Sequence, residues 1–176
     1  MKTQNFDMDR ERVTGAMRVI MSDHANIHGG EGFNAWIRAE AVADDGFVQL
    51  EFTTPAGIYV HMKSVTAMSE GLADVTVVRS PTLTTGNTAV VSHNLRDIGT
   101  PAASAVVIKS NPTSISAGTI VRAYFIGAGK DSGGPSMLDT EIVLNPETTY
   151  LFRVQNLAGS AKALSLYLFW YEESGA

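Results

Sequence analysis

The stretch with the strongest potential for chemistry is "IGAGKDSGG", residues 126 to 134, which holds four glycines, a lysine and a serine. Glycine-rich loops cradle phosphates when their backbone N–H groups and a following helix N-terminus face the ligand. A phosphate-binding loop needs a glycine five residues before its Gly-Lys pair and Ser or Thr after the lysine. This chain has Tyr124 and Asp131 at those positions. The glycines and proline that follow are typical of a loop. We therefore predict a flexible connection and no nucleotide site.

His24 and His28, with Glu31 close by, raise the alternative of a metal site, because this spacing places two imidazoles on one helix face. The zinc-protease motif requires a glutamate directly after the first histidine, where the chain has Ala25. Metal-binding jelly rolls use a His-x-His pair, and here three residues separate the two histidines. We predict instead that these histidines bond to the backbone, and we predict no metal and no cofactor. His61 and His93 are predicted to be ordinary strand residues, His93 within one strand over residues 88–95, "TAVVSHNL".

Other catalytic arrangements find no support in the sequence. No serine lies in a G-x-S-x-G turn. The carboxylate pairs at 44–45 and 172–173 fall in loop-like or terminal positions, and no pattern places them across a cleft from each other. Trp36, Tyr59 or Trp170 could stack on sugars, although packing in a core or an interface is the commoner use of such side chains. We predict that the protein is not an enzyme.

Composition excludes further classes of function. The 176 residues suit one domain, and the absence of cysteine removes disulfides and thiolate metal sites. A net charge of -5 gives no electrostatic support for nucleic-acid binding. No apolar run reaches the roughly 20 residues that a membrane helix needs, and the N-terminus lacks the apolar centre of a signal peptide. We predict a soluble protein made inside the cell, with neither nucleic acid nor membrane as partner.

The elements that position these residues are predicted to be β-strands from Phe33 onward. In "FVQLEFTT" the residues Val48, Leu50 and Phe52 alternate with polar ones. Further short strands are separated by clusters of Gly, Pro, Asn, Asp and Ser, and no long helical pattern alternates with them. The sequence therefore predicts an all-β protein, an antiparallel β-sandwich of jelly-roll type.

The last predicted strand, "KALSLYLFWYEE", is apolar on both faces. One face carries a run of leucines and Trp170, and the other carries Tyr167, Phe169 and Tyr171. Such a strand is either central in its sheet or covered by another subunit. A third alternative, a loop of the same chain over the aromatic residues, stays open.

Residues 1–32 differ in character from the strands that follow. Residues 7–21 could form one short helix with Val13, Met17 and Ile20 at helical spacing. Two alternatives are an arm that orders only against a neighbour and an integral part of the core. The arm is favoured, because chain ends are often loose unless docked. We predict an N-terminal arm over 1–32 and a β-sandwich over 33–176.

Residues 140 to 173, "TEIVLNPETTYLFRVQNLAGSAKALSLYLFWYEE", resemble the closing strands of small structural proteins of tailed bacteriophages. Both have an acidic-apolar strand, an Asn-led turn, a Thr-x-Tyr-Leu-x-Arg-Val-x-Asn strand, a Gly-Ser-Ala turn and a final Trp-Tyr-Glu. The resemblance implies a virion protein, either a capsid decoration (cement) protein or a minor capsid protein on the outside of the shell. It implies the major capsid protein as partner and assembly as a homotrimer. The alternative is a head-fibre or tail module that binds a host glycan or receptor.

We expect the arm and one face of the sandwich to bridge capsid subunits and to stabilise the shell. A contact of standard size buries about 1,600 Å². The residues predicted to make capsid or oligomer contacts are Phe6, Met8, Val13, Met17, Ile20, His24, His28, Trp36, Tyr167, Phe169 and Tyr171.

Overall fold

A computed structural model of the chain describes residues 22–86, 88–127, 134–137 and 141–174. The helix predicted within residues 7–21 lies outside this part of the chain, as do five of the predicted contact residues, Phe6, Met8, Val13, Met17 and Ile20. Most of the glycine-rich stretch is also outside it. In the described part, no helix is long and apolar enough to cross a membrane.

Two six-stranded antiparallel sheets form the body of the molecule. In spatial order the first sheet contains β11 (Gly134–Met137), β3 (Ile58–Ser69), β14 (Lys162–Ser174), β1 (Gly32–Val42) and β7 (His93–Asn94), and β12 (Ile142–Leu144) also pairs with β3. The second contains β10 (Thr119–Ile126), β4 (Ala73–Arg79), β13 (Thr149–Asn156), β2 (Phe47–Thr53), β8 (Val107–Ser110) and β6 (Thr88–Ala89). A helix, α1 (Ser22–Gly29), precedes β1, and β5 (Thr82–Thr84) pairs with β9 (Thr113–Ser116) in a small third sheet.

The order of the strands is that of a jelly roll. Eight strands make up the jelly roll, and we call them the frame strands. Four of them, in the first sheet, lie in the order β12–β3–β14–β1, and the other four, in the second sheet, lie in the order β10–β4–β13–β2. Every connection between successive frame strands crosses from one sheet to the other, except that between β4 and β10. Two interlocked Greek keys of eight strands give this arrangement. The predicted all-β, jelly-roll-like sandwich is confirmed.

The core lies between the two sheets and follows from the period-2 pattern of the strands. On β14 the inward-facing residues are Leu164, Leu166, Leu168 and Trp170, and all four are buried. The indole ring of Trp170 meets the ring of Phe52 on β2 edge-to-face at 5.2 Å between centroids. β14 lies between β1 and β3, so a central position, one of the alternatives given for this strand, is what the structure shows.

The structure corrects two details of the sequence interpretation. Residues 134–137, predicted to lie in a loop, form β11, an edge strand on β3 in which Pro135 is tolerated because edge strands need no full ladder. The apolar run at 88–95, predicted as one strand, forms only the two-residue strands β6 and β7, and Val91 is exposed. Glu172 and Glu173 lie at the end of β14, as the predicted last strand has them.

Candidate functional site

One outer surface of the first sheet carries most of the predicted contact residues that the structure describes. Alternation along β14 turns Tyr167, Phe169 and Tyr171 away from the core, and in the β1 register Trp36 lies opposite Tyr167. We call these four residues the aromatic face. The three β14 residues are half-buried and Trp36 is 49% exposed. The sequence therefore brings large apolar groups to both faces of one central strand, and the outer face needs a further explanation.

Trp36 is held at one end of the aromatic face by a histidine. The indole ring stacks on the imidazole of His93 on β7, with 4.8 Å between centroids and 19° between planes. Trp36 lies within β1, so its orientation is set by the sheet. A rigid, partly exposed aromatic ring of this kind is a common anchor at protein–protein contacts.

A polar atom without a partner lies in the middle of the aromatic face. Asn34 lies opposite Phe169 in the β1 register. Burial raises the pKa of the Tyr167 hydroxyl, and a hydrogen bond with the Asn34 side chain lowers it by a smaller amount. Asn34 Oδ1 is buried and finds no hydrogen-bond partner among the residues that the structure describes. Leaving such an acceptor unpaired costs about 1–3 kcal/mol.

The other end of the aromatic face is a network of charged and polar groups centred on Glu141. One carboxylate oxygen, Oε1, accepts from the Tyr171 hydroxyl at 3.0 Å and lies 2.5 Å from His61 Nδ1. The other, Oε2, accepts from Lys63 Nζ at 2.9 Å. The His61 ring stacks on Tyr171 at 4.4 Å and 8°, and its Nε2 lies 3.3 Å from Glu173 Oε2. Tyr171 therefore has a fixed position on the sheet.

The pKa values of this network follow from its contacts. Burial raises the pKa of Glu141, but the hydrogen bonds from Lys63, His61 and Tyr171 outweigh it and bring the value to about 2. Burial, together with the hydrogen bond to Glu141, raises the pKa of Tyr171 to about 12. At neutral pH the carboxylate is ionised and the phenol keeps its proton. The network can position side chains and can attract a cationic partner group.

The two histidines of the N-terminal segment lie on α1. Their rings are edge-to-face with 4.3 Å between centroids, so the four-residue spacing does put His24 and His28 on one helix face. Both side chains are exposed. Gly30, at φ 81°, and a hydrogen bond from Leu95 N to Gly32 O direct the chain from α1 into β1. Within the described ranges, no group of three or more His, Asp or Glu side chains is arranged to hold a metal ion.

The sequence therefore located the aromatic face but missed the polar residues around it. His61 and His93 are strand residues, as predicted, but each also stacks on an aromatic ring of this surface. Glu172 lies on the other side of β14, with Trp170, and accepts from Ser104 Oγ, from Ala105 N at 2.9 Å and from Trp170 Nε1 at 3.1 Å. A signal was present in the alternation of β14, which already showed that Glu173 shares a face with Tyr171. No local pattern pointed to Glu141.

A comparison of the chain with protein-family models gives no match, and a comparison with curated proteins gives none either. The function therefore has to be inferred from the residues of the chain itself.

Proposed function

We propose that the protein is a virion structural protein, a decoration protein that binds the outside of a bacteriophage capsid shell and stabilises it. The observation that carries the proposal is the aromatic face. Monomeric proteins rarely expose contiguous apolar patches of several aromatic side chains, and Trp, Tyr and Phe are enriched at the centres of protein–protein contacts.

The resemblance to phage structural proteins falls on the strands that organise the sandwich. Residues 140 to 173 contain β12, β13 and β14, and the last two are central strands of the two sheets. β14 also supplies three of the four residues of the aromatic face. The segment with the resemblance is therefore also the segment that presents the proposed contact surface. A jelly roll is a common architecture of viral shell proteins, which supports the proposal at the level of fold alone.

In this proposal the aromatic face contacts neighbouring protein in the shell, either a second copy within a homotrimer or the major capsid protein. The N-terminal arm over 1–32 makes a second attachment. Closed symmetric assembly is the usual state of soluble oligomers. The role is mechanical and requires no catalytic group.

The first test is the mass of the purified protein in solution, alone and mixed with undecorated heads of the phage that encodes it. We expect a trimer that sediments with the heads. Trp36→Ala should weaken trimer formation or head binding by about 10-fold or more, since a central aromatic anchor contributes on the order of 2 kcal/mol to an interface. The variant should stay folded because Trp36 is half-exposed and outside the core.

Phe125→Ala is the matched control. Phe125 is a large aromatic residue, 69% exposed, on β10 of the opposite sheet. Its removal should leave both the trimer and head binding unchanged. A wild-type protein that remains monomeric at high concentration and ignores the heads would refute the proposal. Equal behaviour of Trp36→Ala and wild type would remove the aromatic face from it.

A further inference from the structure

A second concave surface lies on the opposite side of the molecule, on the outer face of the second sheet. It encloses about 520 Å³, within the size range of small-molecule sites, and lies between β2, β13 and the loop that joins β8 to β9. Phe47 and Arg153 form its floor, and residues 111–115 form its opposite wall. The aromatic face lies on the first sheet, so the two surfaces are separate.

Arg153 is the charged group of this pocket, and the protein fixes its orientation before any ligand binds. Arg153 Nε donates to Gln49 Oε1 at 3.1 Å, and the guanidinium carbon lies 4.9 Å from the centre of the Phe47 ring. Gln49 is fully buried and its Nε2 donates to Pro112 O at 2.5 Å. A planar guanidinium held from two sides loses little entropy when it binds a planar anion.

The charge of the pocket favours an anionic group. Arg153 is the one ionised side chain among the described residues that line it. No hydrogen bond links its two terminal nitrogens to any residue in the described ranges, so their N–H groups can form the two-pronged contact that carboxylates accept. Asp74 lies on β4, on the far side of β13 from Phe47, and its charge opposes the lowering of the Arg153 pKa by burial. The guanidinium lies over the Phe47 ring.

The residues that line the pocket favour a ligand that is partly apolar and carries hydroxyl groups. Phe47 keeps 44% of its surface exposed, and Pro112 and Ile115 add apolar contacts. Thr113 and Ser114, which also line the pocket, carry hydroxyl groups. An aromatic ring can stack on the C–H face of a pyranose, while the hydroxyls and amides that line the pocket match its own hydroxyl groups. The same combination suits an alkyl carboxylate less well.

The backbone of the loop is held in an unusual conformation. Asn111 and Ser114 have φ values of 51° and 52°, in the left-handed region that non-glycine residues seldom occupy. Asn111 N also donates to Gln49 O at 3.1 Å, so the loop is fastened to the same residue that orients Arg153. Such conformations concentrate at binding sites, where surrounding contacts hold them in place.

We propose that this pocket binds a saccharide that carries a carboxylate, with Arg153 on the carboxylate and the part of Phe47 that the guanidinium leaves exposed against the sugar ring. The site is additional to shell attachment, since it uses the other sheet. The ligand could be a free acidic sugar or a residue of an acidic polysaccharide. Both sources present the same carboxylate and ring.

The test compares two ligands that differ only at the group that Arg153 contacts. Methyl β-D-glucuronide carries a carboxylate where methyl β-D-glucoside carries a hydroxymethyl group. Binding is measured by saturation-transfer NMR and calorimetry on the full chain. We expect the glucuronide to bind at least about 10-fold more tightly than the glucoside, because hydrogen bonds to a charged group are the stronger ones. A glucuronate-containing tetrasaccharide should bind more tightly still if a polysaccharide is the source, and no better if a free sugar is.

Variants assign the preference to the pocket. Arg153→Gln should abolish the difference between the two ligands, and Phe47→Ala should weaken both. Arg153→Lys keeps the charge but not the planar fork and should give an intermediate preference. Arg38→Gln is the control, since Arg38 is an exposed arginine on the first sheet, and it should bind as wild type does.

Circular dichroism establishes that each variant is folded. If Arg153→Gln does not fold, the proposal is tested by the preference of the wild-type protein for the glucuronide and by the loss of affinity in Phe47→Ala. Equal affinity for the two ligands, or no binding of either at millimolar concentration, would overturn the proposal. Either result leaves the test of head binding unaffected, because that test depends on the other sheet.

Discussion

Replacing Glu141 by glutamine should make the stability of the protein less dependent on acid pH. Glu141 links β3 to the segment before β12 through Lys63, and it also holds Tyr171 of the aromatic face. Its pKa is lowered from 4.5 to about 2, so the folded protein favours the ionised form of the Glu141 side chain. A pKa lowered in the folded state contributes stability that is present above the unfolded value and lost as pH falls through the folded one. The relevant window is therefore from about pH 5 to pH 2.

The magnitude follows from the same shift. A change from 4.5 to about 2 corresponds to an upper limit of about 3 kcal/mol at neutral pH. The Glu141 side chain is 32% exposed, so solvent screening reduces the expected effect to about 1–2 kcal/mol. Glutamine keeps the shape and can still accept from Tyr171, but it loses the charge that attracts Lys63. Glu141→Gln should therefore be less stable than wild type by about 1–2 kcal/mol at pH 7, and the difference should fall to roughly half of that or less at pH 3.

The assay is urea unfolding at pH 7, 5, 4 and 3, followed by tryptophan fluorescence. Glu40→Gln is the matched control, because Glu40 is an exposed carboxylate on β1 and its loss should change stability by less than about 0.5 kcal/mol. A difference between wild type and Glu141→Gln that stays constant from pH 7 to pH 3 would show that the charge is not the cause. No difference at pH 7 would show that the network does not contribute to stability.

Two further predictions concern the sandwich itself. Asn156 is fully buried, and its Nδ2 donates to Val42 O and Ser160 O, each at 2.8 Å, while its Oδ1 accepts from Ala158 N at 3.0 Å. Asn156→Ala should lower the free energy of unfolding by about 2–3 kcal/mol in urea titrations, since several buried backbone groups lose their partner; an effect no larger than that of Gln155→Ala next to it would contradict this. Gly118 has φ 89°, and a Cβ there would lie 2.6 Å from Val78 Cγ1. Gly118→Ala should lower the melting temperature more than Gly57→Ala, which has φ 67° but open space around it, and equal losses would show that the contact with Val78 relaxes.

The jelly roll could be predicted from the sequence because its main signal is local. Alternation within β14 and β2 is visible in a few residues, and it survives in the structure because the inner face of each sheet is buried. Strand pairing is not local. The run at 88–95 has the residues of a strand but little neighbouring backbone to pair with, and residues 134–137 have poor strand residues but lie beside a free edge of β3.

The residues around the candidate sites could not be predicted for the same reason. Glu141 meets His61 and Arg153 meets Gln49 only because distant strands become neighbours in a sheet. Each is an unremarkable strand or turn residue in its own sequence surroundings. The aromatic face was predictable because all but one of its members lie on one strand, with alternating positions that define a common side.

The central position of β13 and β14 has a consequence for how the chain folds. β1 and β3 meet only across β14, and β2 and β4 meet only across β13. On the ribosome, the first four frame strands therefore emerge before the strands that join them. Their inner faces stay without a complete core until residues 149–174 have been made, and contacts of such long sequence separation form slowly. During that interval the nascent chain exposes apolar strands that can pair with other chains. Rapid completion of synthesis, or chaperones that cover β1 to β4 until then, would reduce the aggregation of nascent chains.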